Sequence, residues 1–380
     1  MKIPYARQMI DQSDIDAVIE VLQSDWLTQG PCIPALEAAL AATVGAAHVV
    51  AVTSGTAGLH LACQALGLGP GDRLWTTPLS FVASSNCGLY CGADVDFIDI
   101  DPDTGLMSLE VLAVELHRAR LQGTLPKIVV AVHYAGLVLD MVGLFELARE
   151  FGFRIIEDAA HALGAVGDGI TVGTCRHSDV AVFSFHPVKH ITTGEGGAVA
   201  TQNPLLAQRL SLLRSHGITR DAALMKGESE GDWYYEQVEL GFNYRMTDLQ
   251  AALGVSQLRR LDAFLTRRRH LAERYSALLE GLPVKALPPS PDAAWHLYPV
   301  RVEARQRKDV FNAMRRGQVI VNVHYLPIYL QPYYRRLGFQ PGRCPQAEVF
   351  YDGLISLPMY AGLEDAAQDR VVQLLAEALA

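Results

Sequence analysis

Lys189 lies among residue types that suit an amine able to capture a carbonyl group. The stretch from Phe183 to Gly197, FSFHPVKHITTGEGG, is polar and glycine-rich, and it separates two apolar runs, Val180–Phe183 and Ala198–Ala200. Hydroxyl and imidazole side chains, rather than carboxylates, flank the lysine. Such a lysine can have a lowered pKa and form an imine with a carbonyl compound. The pattern is equally compatible with a surface lysine on a hairpin turn.

Two other groups could work with this lysine. Asp158 follows a predicted buried strand, Phe153–Glu157, and a buried carboxylate needs a cationic partner to stay ionised. Ser54-Gly-Thr56 joins a predicted strand, His48–Thr53, to a predicted helix, Ala57–Leu66. In that arrangement the first amides of the helix can face a phosphate, although an ordinary strand-to-helix turn has the same pattern.

These groups together make up the parts of a pyridoxal phosphate (PLP) site. Such a site needs an imine-forming lysine, a carboxylate for the pyridine nitrogen, phosphate donors and a ring that stacks on the cofactor. Ser184 supplies a further candidate phosphate donor, and Phe81 a candidate stacking ring. Each signal is weak alone, and their order along the chain favours the combined interpretation.

The elements that must position these residues alternate between strands and helices. Predicted strands such as Arg73–Thr77, Val95–Ile100 and Ile128–His133 are followed by helical segments, which predicts a mostly parallel sheet with helices on both faces. Ligands bind beyond the carboxyl ends of such strands. We therefore expect Ser54–Thr56, Phe81, His133 and Asp158 to converge on one crevice. No GxGxxG motif follows the first strand, which argues against a dinucleotide fold.

The second half of the chain predicts a smaller α/β domain after one long helix, Leu249–Leu279. Strands are expected at Trp295–Val302 and Val319–Val323, and helices at Arg307–Arg316 and Glu364–Leu379. The predicted organisation is a large cofactor-binding domain with an N-terminal arm, residues 1–250, and a small C-terminal domain, residues 251–380.

Composition excludes several classes of protein. Half of the 380 residues are hydrophobic and 19% are charged, which is typical of a globular protein. A net charge of −9, without a Lys/Arg run, argues against a nucleic-acid binder. Six cysteines without CxxC pairing, and no signal peptide, predict free thiols in the cytoplasm. No apolar run reaches the roughly 18–20 residues of a membrane span, and no metal site is expected.

Six ordered motifs across the chain resemble the DegT/DnrJ/StrS family, the sugar aminotransferase branch of the aspartate-aminotransferase-like, fold-type I enzymes. The motifs are WLTQGP from Trp26, SGTA from Ser54, EDAAHA from Glu157, FSFHPVK from Phe183, TTGEGG from Thr192 and GFNYR from Gly241. The resemblance implies a PLP enzyme that transfers an amino group from an amino acid, usually glutamate, to a keto sugar nucleotide.

The resemblance also implies roles for single residues around the cofactor ring. Lys189 would bind the cofactor as an imine and move protons, and Asp158 would bind the pyridine nitrogen. Phe81 would lie against the ring face. His161 would contact the side of the ring that carries its oxygen, where many relatives have Gln.

Other residues would hold the phosphate or complete the site. Gly55, Thr56 and Ser184 would bind the phosphate. Asn243 and Arg245 would reach the site from a neighbouring subunit, with Arg245 on the substrate side, which implies a homodimer with shared active sites.

Several histidines have two interpretations. His324 and Tyr325 could line the sugar pocket, or His324 could be a packed, hydrogen-bonded histidine. His186 and His190 could act in catalysis or simply hold the loop around the lysine.

The segments His186–Gly196 and Val323–Tyr333 most resemble the C4 aminotransferases of pseudaminic acid biosynthesis. Those enzymes act on UDP-2-acetamido-2,6-dideoxy-L-arabino-hexos-4-ulose. A C4 aminotransferase for another sugar, of the perosamine or arabinose type, and a non-catalytic regulatory member of the family are the alternatives. Lys189 argues against the sugar dehydratases, which have histidine in its place, and no cysteine has the context that a thiol-dependent lyase needs.

Overall fold

A computed structural model describes residues 2–380. The strands in chain order are β1 (His48–Val52), β2 (Arg73–Thr76), β3 (Asp94–Phe97), β4 (Ile128–Val132), β5 (Arg154–Asp158), β6 (Val166–Gly167), β7 (Ile170–Thr171), β8 (Val180–Ser184), β9 (Gly197–Thr201), β10 (Ile218–Thr219), β11 (Glu236–Gln237), β12 (Lys285–Ala286), β13 (Tyr298–Arg301) and β14 (Leu354–Leu357).

The helices in chain order are α1 (Gln12–Leu22), α2 (Cys32–Val44), α3 (Gly55–Ala65), α4 (Ala83–Tyr90), α5 (Leu109–Gln122), α6 (Met141–Phe151), α7 (Pro204–Arg214), α8 (Asp248–Leu258), α9 (Leu261–Leu278), α10 (Arg307–Arg316), α11 (Pro332–Arg336), α12 (Pro345–Gly353) and α13 (Asp365–Leu379). Short 3₁₀ turns lie at Tyr134–Gly136 and Ile328–Leu330. Within residues 2–380 no helix is both long and apolar enough to cross a bilayer.

A seven-stranded sheet forms the centre of the molecule, in the spatial order β1-β9-β8-β5-β4-β2-β3. Strand β9 runs antiparallel to both of its neighbours, and the other pairs are parallel. The run IVVAV of β4 is buried along its whole length, as expected for a strand covered by helices on both faces. The predicted mostly parallel α/β sheet is confirmed.

The C-terminal part has its own antiparallel sheet, β12-β13-β14, against which α10 packs beside α13. The N-terminal arm reaches this part, since Ile3 pairs with Val319. One apolar core joins Val129 of β4 with Val300 of β13 and Ile355 of β14. The division at residue 250 stays a prediction.

Two predicted elements of the second half differ in the structure. The helix expected over Leu249–Leu279 is two helices, α8 and α9, because Arg260 leaves helical geometry with φ −106° and ψ 5°. The strand expected at Val319–Val323 does not form. Val319 pairs with the N-terminal arm while Asn322 pairs with β14, so the segment changes partner within three residues.

Candidate active site

The carboxyl ends of the parallel strands open into a cavity of about 620 Å³. This is where ligands bind in open α/β sheets. Among the residues that line it are eleven of those singled out in the sequence: Ser54, Gly55, Thr56, Phe81, Asp158, His161, Ser184, His186, Lys189, His324 and Tyr325. The predicted strand-end side chains therefore converge, with the exception of His133.

Lys189 faces this cavity from the loop that follows β8. Its backbone N–H donates to the His186 carbonyl at 2.9 Å, which tightens the turn. Burial lowers the pKa of the Lys189 amine to about 8, Asp158 acts in the opposite direction, and Arg268 lowers it further. A lysine that lines a cavity with a lowered pKa differs from the surface lysine of a hairpin turn, and its neutral amine is available near neutral pH.

Asp158 is the last residue of β5, and only 7% of it is exposed. Its Oδ2 accepts a hydrogen bond from Ser84 Oγ at 2.6 Å, and its Oδ1 accepts from the Ala160 N–H at 3.2 Å. A carboxylate has about four acceptor sites, so these two bonds leave capacity for another donor. The protonated nitrogen of a pyridine ring is such a donor.

The N-terminus of α3 forms a cradle with open amides. Ser54 caps the helix by accepting from the Ala57 N–H at 3.1 Å. Within residues 2–380, the N–H groups of Gly55 and Thr56 donate to no protein acceptor. A Cβ on Gly55 would lie 3.0 Å from the Cβ of Ser184, so glycine lets this strand end and helix end approach closely. Free amides at a helix N-terminus beside a hydroxyl fit a phosphate.

His161 and Tyr325 face each other across the cavity. Tyr325 Oη lies 3.2 Å from His161 Nε2, and the two rings are 16° from parallel. Burial raises the pKa of Tyr325 and lowers the pKa of His161, where the charge of Lys189 adds to the lowering. The hydrogen bond therefore joins a neutral tyrosine hydroxyl and a neutral imidazole. The other nitrogen, Nδ1, has no partner within residues 2–380, as expected beside a group that the polypeptide does not supply.

Phe81 and His324 complete the predicted lining. Phe81 is 57% exposed, and its ring centre lies 6.4 Å from that of Tyr325, so its face is free to stack on a planar ligand. His324 lines the cavity and is also held on both nitrogens, by Ser356 Oγ at 2.9 Å and Asn322 Nδ2 at 3.2 Å. Burial lowers its pKa to about 4, so this imidazole is neutral.

The expectation that His133 joins the crevice is wrong. His133 is fully buried, and its Nε2 pairs with Glu157 Oε2 at 3.0 Å. Glu157 directly precedes Asp158 on β5, so the two side chains point to opposite faces of the sheet. His133 therefore lies behind the strand that carries Asp158.

The remaining predicted residues are two histidines of the Lys189 loop and two residues of the GFNYR motif. His186 lines the cavity, whereas His190 is buried and pairs with the Ala294 carbonyl at 3.1 Å. Asn243 is exposed, and neither it nor Arg245 lines this chain's cavity. Their contribution to a neighbouring subunit stays a prediction.

The sequence patterns missed three residues of the site. Ser84 is fully buried and donates to Asp158 Oδ2, and no pattern in the sequence indicates this contact. His296 falls in a segment interpreted as a strand, and its ring centre lies 4.3 Å from that of His161. Tyr5 lines the cavity because the N-terminal arm folds back, which no local pattern indicates.

The residues of the site fit PLP, and no metal centre is needed to explain their arrangement. Lys189, Asp158, the amides of Gly55 and Thr56, and the Phe81 ring match the amine, carboxylate, phosphate cradle and stacking face that this cofactor requires. Within residues 2–380, no three His, Cys, Asp or Glu side chains converge as a metal site.

Comparison with known proteins agrees with this chemistry. Residues 8–376 match the model of the DegT/DnrJ/EryC1/StrS aminotransferase family. The spore coat polysaccharide biosynthesis protein SpsC of Bacillus subtilis (strain 168) is 37% identical over 380 residues, which cover 98% of this chain and 95% of that protein.

Solved structures are similar over almost the whole chain. Helicobacter pylori PseC, described as an aminotransferase involved in pseudoaminic acid biosynthesis, superposes with a TM-score of 0.91 at 29% identity and covers 100% of this chain and 99% of its own. The sugar aminotransferase Spr1654 of Streptococcus pneumoniae, in its PMP-form, has a TM-score of 0.90 at 30% identity and covers 99% and 98%. The chain therefore belongs to the DegT/DnrJ/EryC1/StrS aminotransferase family of PLP-dependent enzymes.

Proposed function

We propose that the chain transfers an amino group from glutamate to the C4 keto group of a nucleotide-linked 4-keto-6-deoxy sugar. The substrate we propose is UDP-2-acetamido-2,6-dideoxy-L-arabino-hexos-4-ulose. The observation that carries the proposal is the presence of Lys189 and Asp158 on one cavity with a phosphate cradle. The similarity to PseC supports the choice of sugar.

Different residues of the site would bind the phosphate, bind the ring and transfer the proton. The α3 amides and Ser184 would hold the phosphate, and Asp158 would hold the ring nitrogen in its protonated form. PLP, when bound, withdraws electrons from the carbon that loses its proton. Lys189 Nζ would move a proton between the substrate carbon and C4′ of the cofactor, a role that suits an amine with a pKa of about 8.

The surface around Asn243 supports a homodimer. Trp233 is 71% exposed and Leu240 is 80% exposed, on the segment that leads to Asn243. Such large apolar side chains would be covered in a subunit interface. In the dimer, Asn243 and Arg245 would complete the partner's active site.

All six cysteines are free thiols, which supports a reducing cytoplasm as the location of the protein.

A second candidate is C4 amino transfer to a different nucleotide sugar. The similarity to SpsC, a spore coat polysaccharide biosynthesis protein, favours this candidate over a non-catalytic role. The same cofactor residues would serve, and only the contacts to the sugar and nucleotide would differ.

The test is an amino-transfer assay with purified protein, PLP and a panel of UDP-, GDP- and dTDP-linked 4-keto sugars. Each sugar is offered with glutamate and, separately, with alanine or aspartate as donor. We expect the highest kcat/KM with the UDP-linked L-arabino sugar and glutamate. Higher kcat/KM with a GDP- or dTDP-linked sugar would establish the second candidate, and no transfer to any sugar would refute both.

A further inference from the structure

A chain of buried serine hydroxyls ends at Asp158. Ser84 Oγ lies 2.6 Å from Asp158 Oδ2 and 2.7 Å from Ser80 Oγ. Ser84 is fully buried and Ser80 is 4% exposed. Because bulk water does not reach Ser84, its hydroxyl must find its partners within the protein.

The number of hydroxyl protons determines which serine donates in each of these hydrogen bonds. Ser84 has one hydroxyl proton and three acceptors in reach, which are the Asp158 carboxylate at 2.6 Å, Ser80 Oγ at 2.7 Å and the Phe81 carbonyl at 3.2 Å. A hydrogen bond to a carboxylate is shorter and roughly twice as strong as one between neutral groups, so the proton goes to Asp158. Ser84 Oγ then accepts from Ser80, and both hydroxyls point towards the carboxylate.

We propose that Ser84 is a positioning residue that fixes the Asp158 carboxylate towards the ring nitrogen of bound PLP. The inference rests on the role proposed for Asp158. Without the Ser84 hydroxyl, Asp158 would keep only the bond from the Ala160 N–H, at 3.2 Å, and its side chain could rotate away from the ring. Ser80 would act through Ser84, by holding its hydroxyl in the donating orientation.

The test measures the cofactor itself, without any sugar. Wild-type apo-enzyme, Ser84→Ala and Ser84→Thr are titrated with PLP labelled with ¹⁵N in the ring, whose chemical shift reports protonation of that nitrogen. We expect Ser84→Ala to weaken PLP binding roughly tenfold, the typical loss for one hydrogen bond to a charged group, and to deprotonate the ring nitrogen at lower pH. Ser84→Thr keeps a hydroxyl, so it should restore both properties.

Ser85→Ala is the matched control. Ser85 lies on the same turn of α4 and is buried, but its hydroxyl pairs with Tyr334 Oη at 2.6 Å instead of Asp158. If Ser84→Ala keeps wild-type affinity and ring protonation, or if Ser85→Ala changes both equally, the inference is wrong. Asp158→Asn separates it from the function: if that variant also leaves ring protonation unchanged, the role proposed for Asp158 fails instead.

Discussion

The amine of Lys189 should make cofactor capture depend on pH. Its pKa is lowered to about 8, so the amine is protonated below that pH and neutral above it. Only the neutral amine attacks a carbonyl carbon. We expect the rate of PLP capture by apo-enzyme to rise about tenfold per pH unit below pH 8 and to level off above it. Stopped-flow absorbance across this range measures the rate.

The neighbouring carboxylate provides a control for this pH profile. The Asp158 charge raises the pKa of Lys189, so Asp158→Asn should move the inflection to lower pH. A rate that keeps climbing to about pH 10 in the wild type would indicate an ordinary, solvated lysine and contradict the prediction.

Replacing Lys189 should abolish catalysis and covalent attachment together. A residue that transfers the proton contributes roughly 100- to 10,000-fold to rate, so Lys189→Ala should lower kcat by about three orders of magnitude. Borohydride should fix the cofactor to the wild-type chain and not to the variant, as judged by intact mass. Lys226, which is exposed, gives the control Lys226→Ala. Covalent trapping in Lys189→Ala would show that another amine holds the cofactor.

Residues of the cavity lining could be predicted from the sequence where they lie in a short motif at the end of a strand. Lys189, Asp158 and Gly55 lie in short motifs at strand ends, and all three line the cavity. Ser84 and His296 could not be found in this way. Their contacts depend on how α4 packs across β2, β3 and β4 and on how His296 comes to lie beside the His161 ring, which are tertiary facts without a local pattern.

At the scale of elements, the first turn of α3 should decide phosphate affinity. In Gly55→Ala the new Cβ would lie 3.0 Å from Ser184 Cβ, so Ser184 would have to move by a few tenths of an ångström and the cradle would change shape. Overpacking costs about 1–3 kcal/mol, and the better helix propensity of alanine offsets about 1 kcal/mol of that cost. We expect PLP affinity to fall roughly tenfold with only a small change in melting temperature.

Gly69→Ala is the matched control for this prediction, since a Cβ there meets nothing within 4 Å. Fluorescence titration with PLP and thermal unfolding of the apo-enzyme measure affinity and stability separately. Unchanged affinity in Gly55→Ala would show that the phosphate binds elsewhere.

Elements with strong local signals could be predicted, and those set by tertiary pairing could not. Gly45 ends α2 with φ 74°, and a glycine directly after a helix is a local stop signal. By contrast, Arg259 and Arg260 are ordinary helix formers, so nothing local marks the break between α8 and α9. The apolar run Val319–Val323 has strand-like composition, but its pairing partners are Ile3 and Ser356, which lie in two distant parts of the chain.

At the scale of the whole molecule, the proposed sharing of active sites depends on two residues that do not line this chain's own cavity. Asn243 and Arg245 belong to the GFNYR motif but lie away from this chain's cavity, although the backbone of Asn243 is fixed by pairing with Ser215. We propose a two-fold dimer in which each motif lies at the other subunit's cavity, and the symmetry would then make the two shared sites equivalent. The sequence could predict this sharing only through family resemblance, since no pattern within one chain encodes a contact between copies.

Shared sites predict that two inactive variants restore each other. Lys189→Ala damages a site from within its own subunit, whereas Asn243→Ala would damage the site of its partner. A mixed dimer then carries both lesions in one site and neither in the other. After co-unfolding and refolding at equal amounts, half of the dimers are mixed, so activity should recover to about one quarter of the wild-type value. Each variant refolded alone is the control. No recovery in the mixture would place Asn243 in its own subunit's site, whereas an active Asn243→Ala variant on its own would place Asn243 outside the active site.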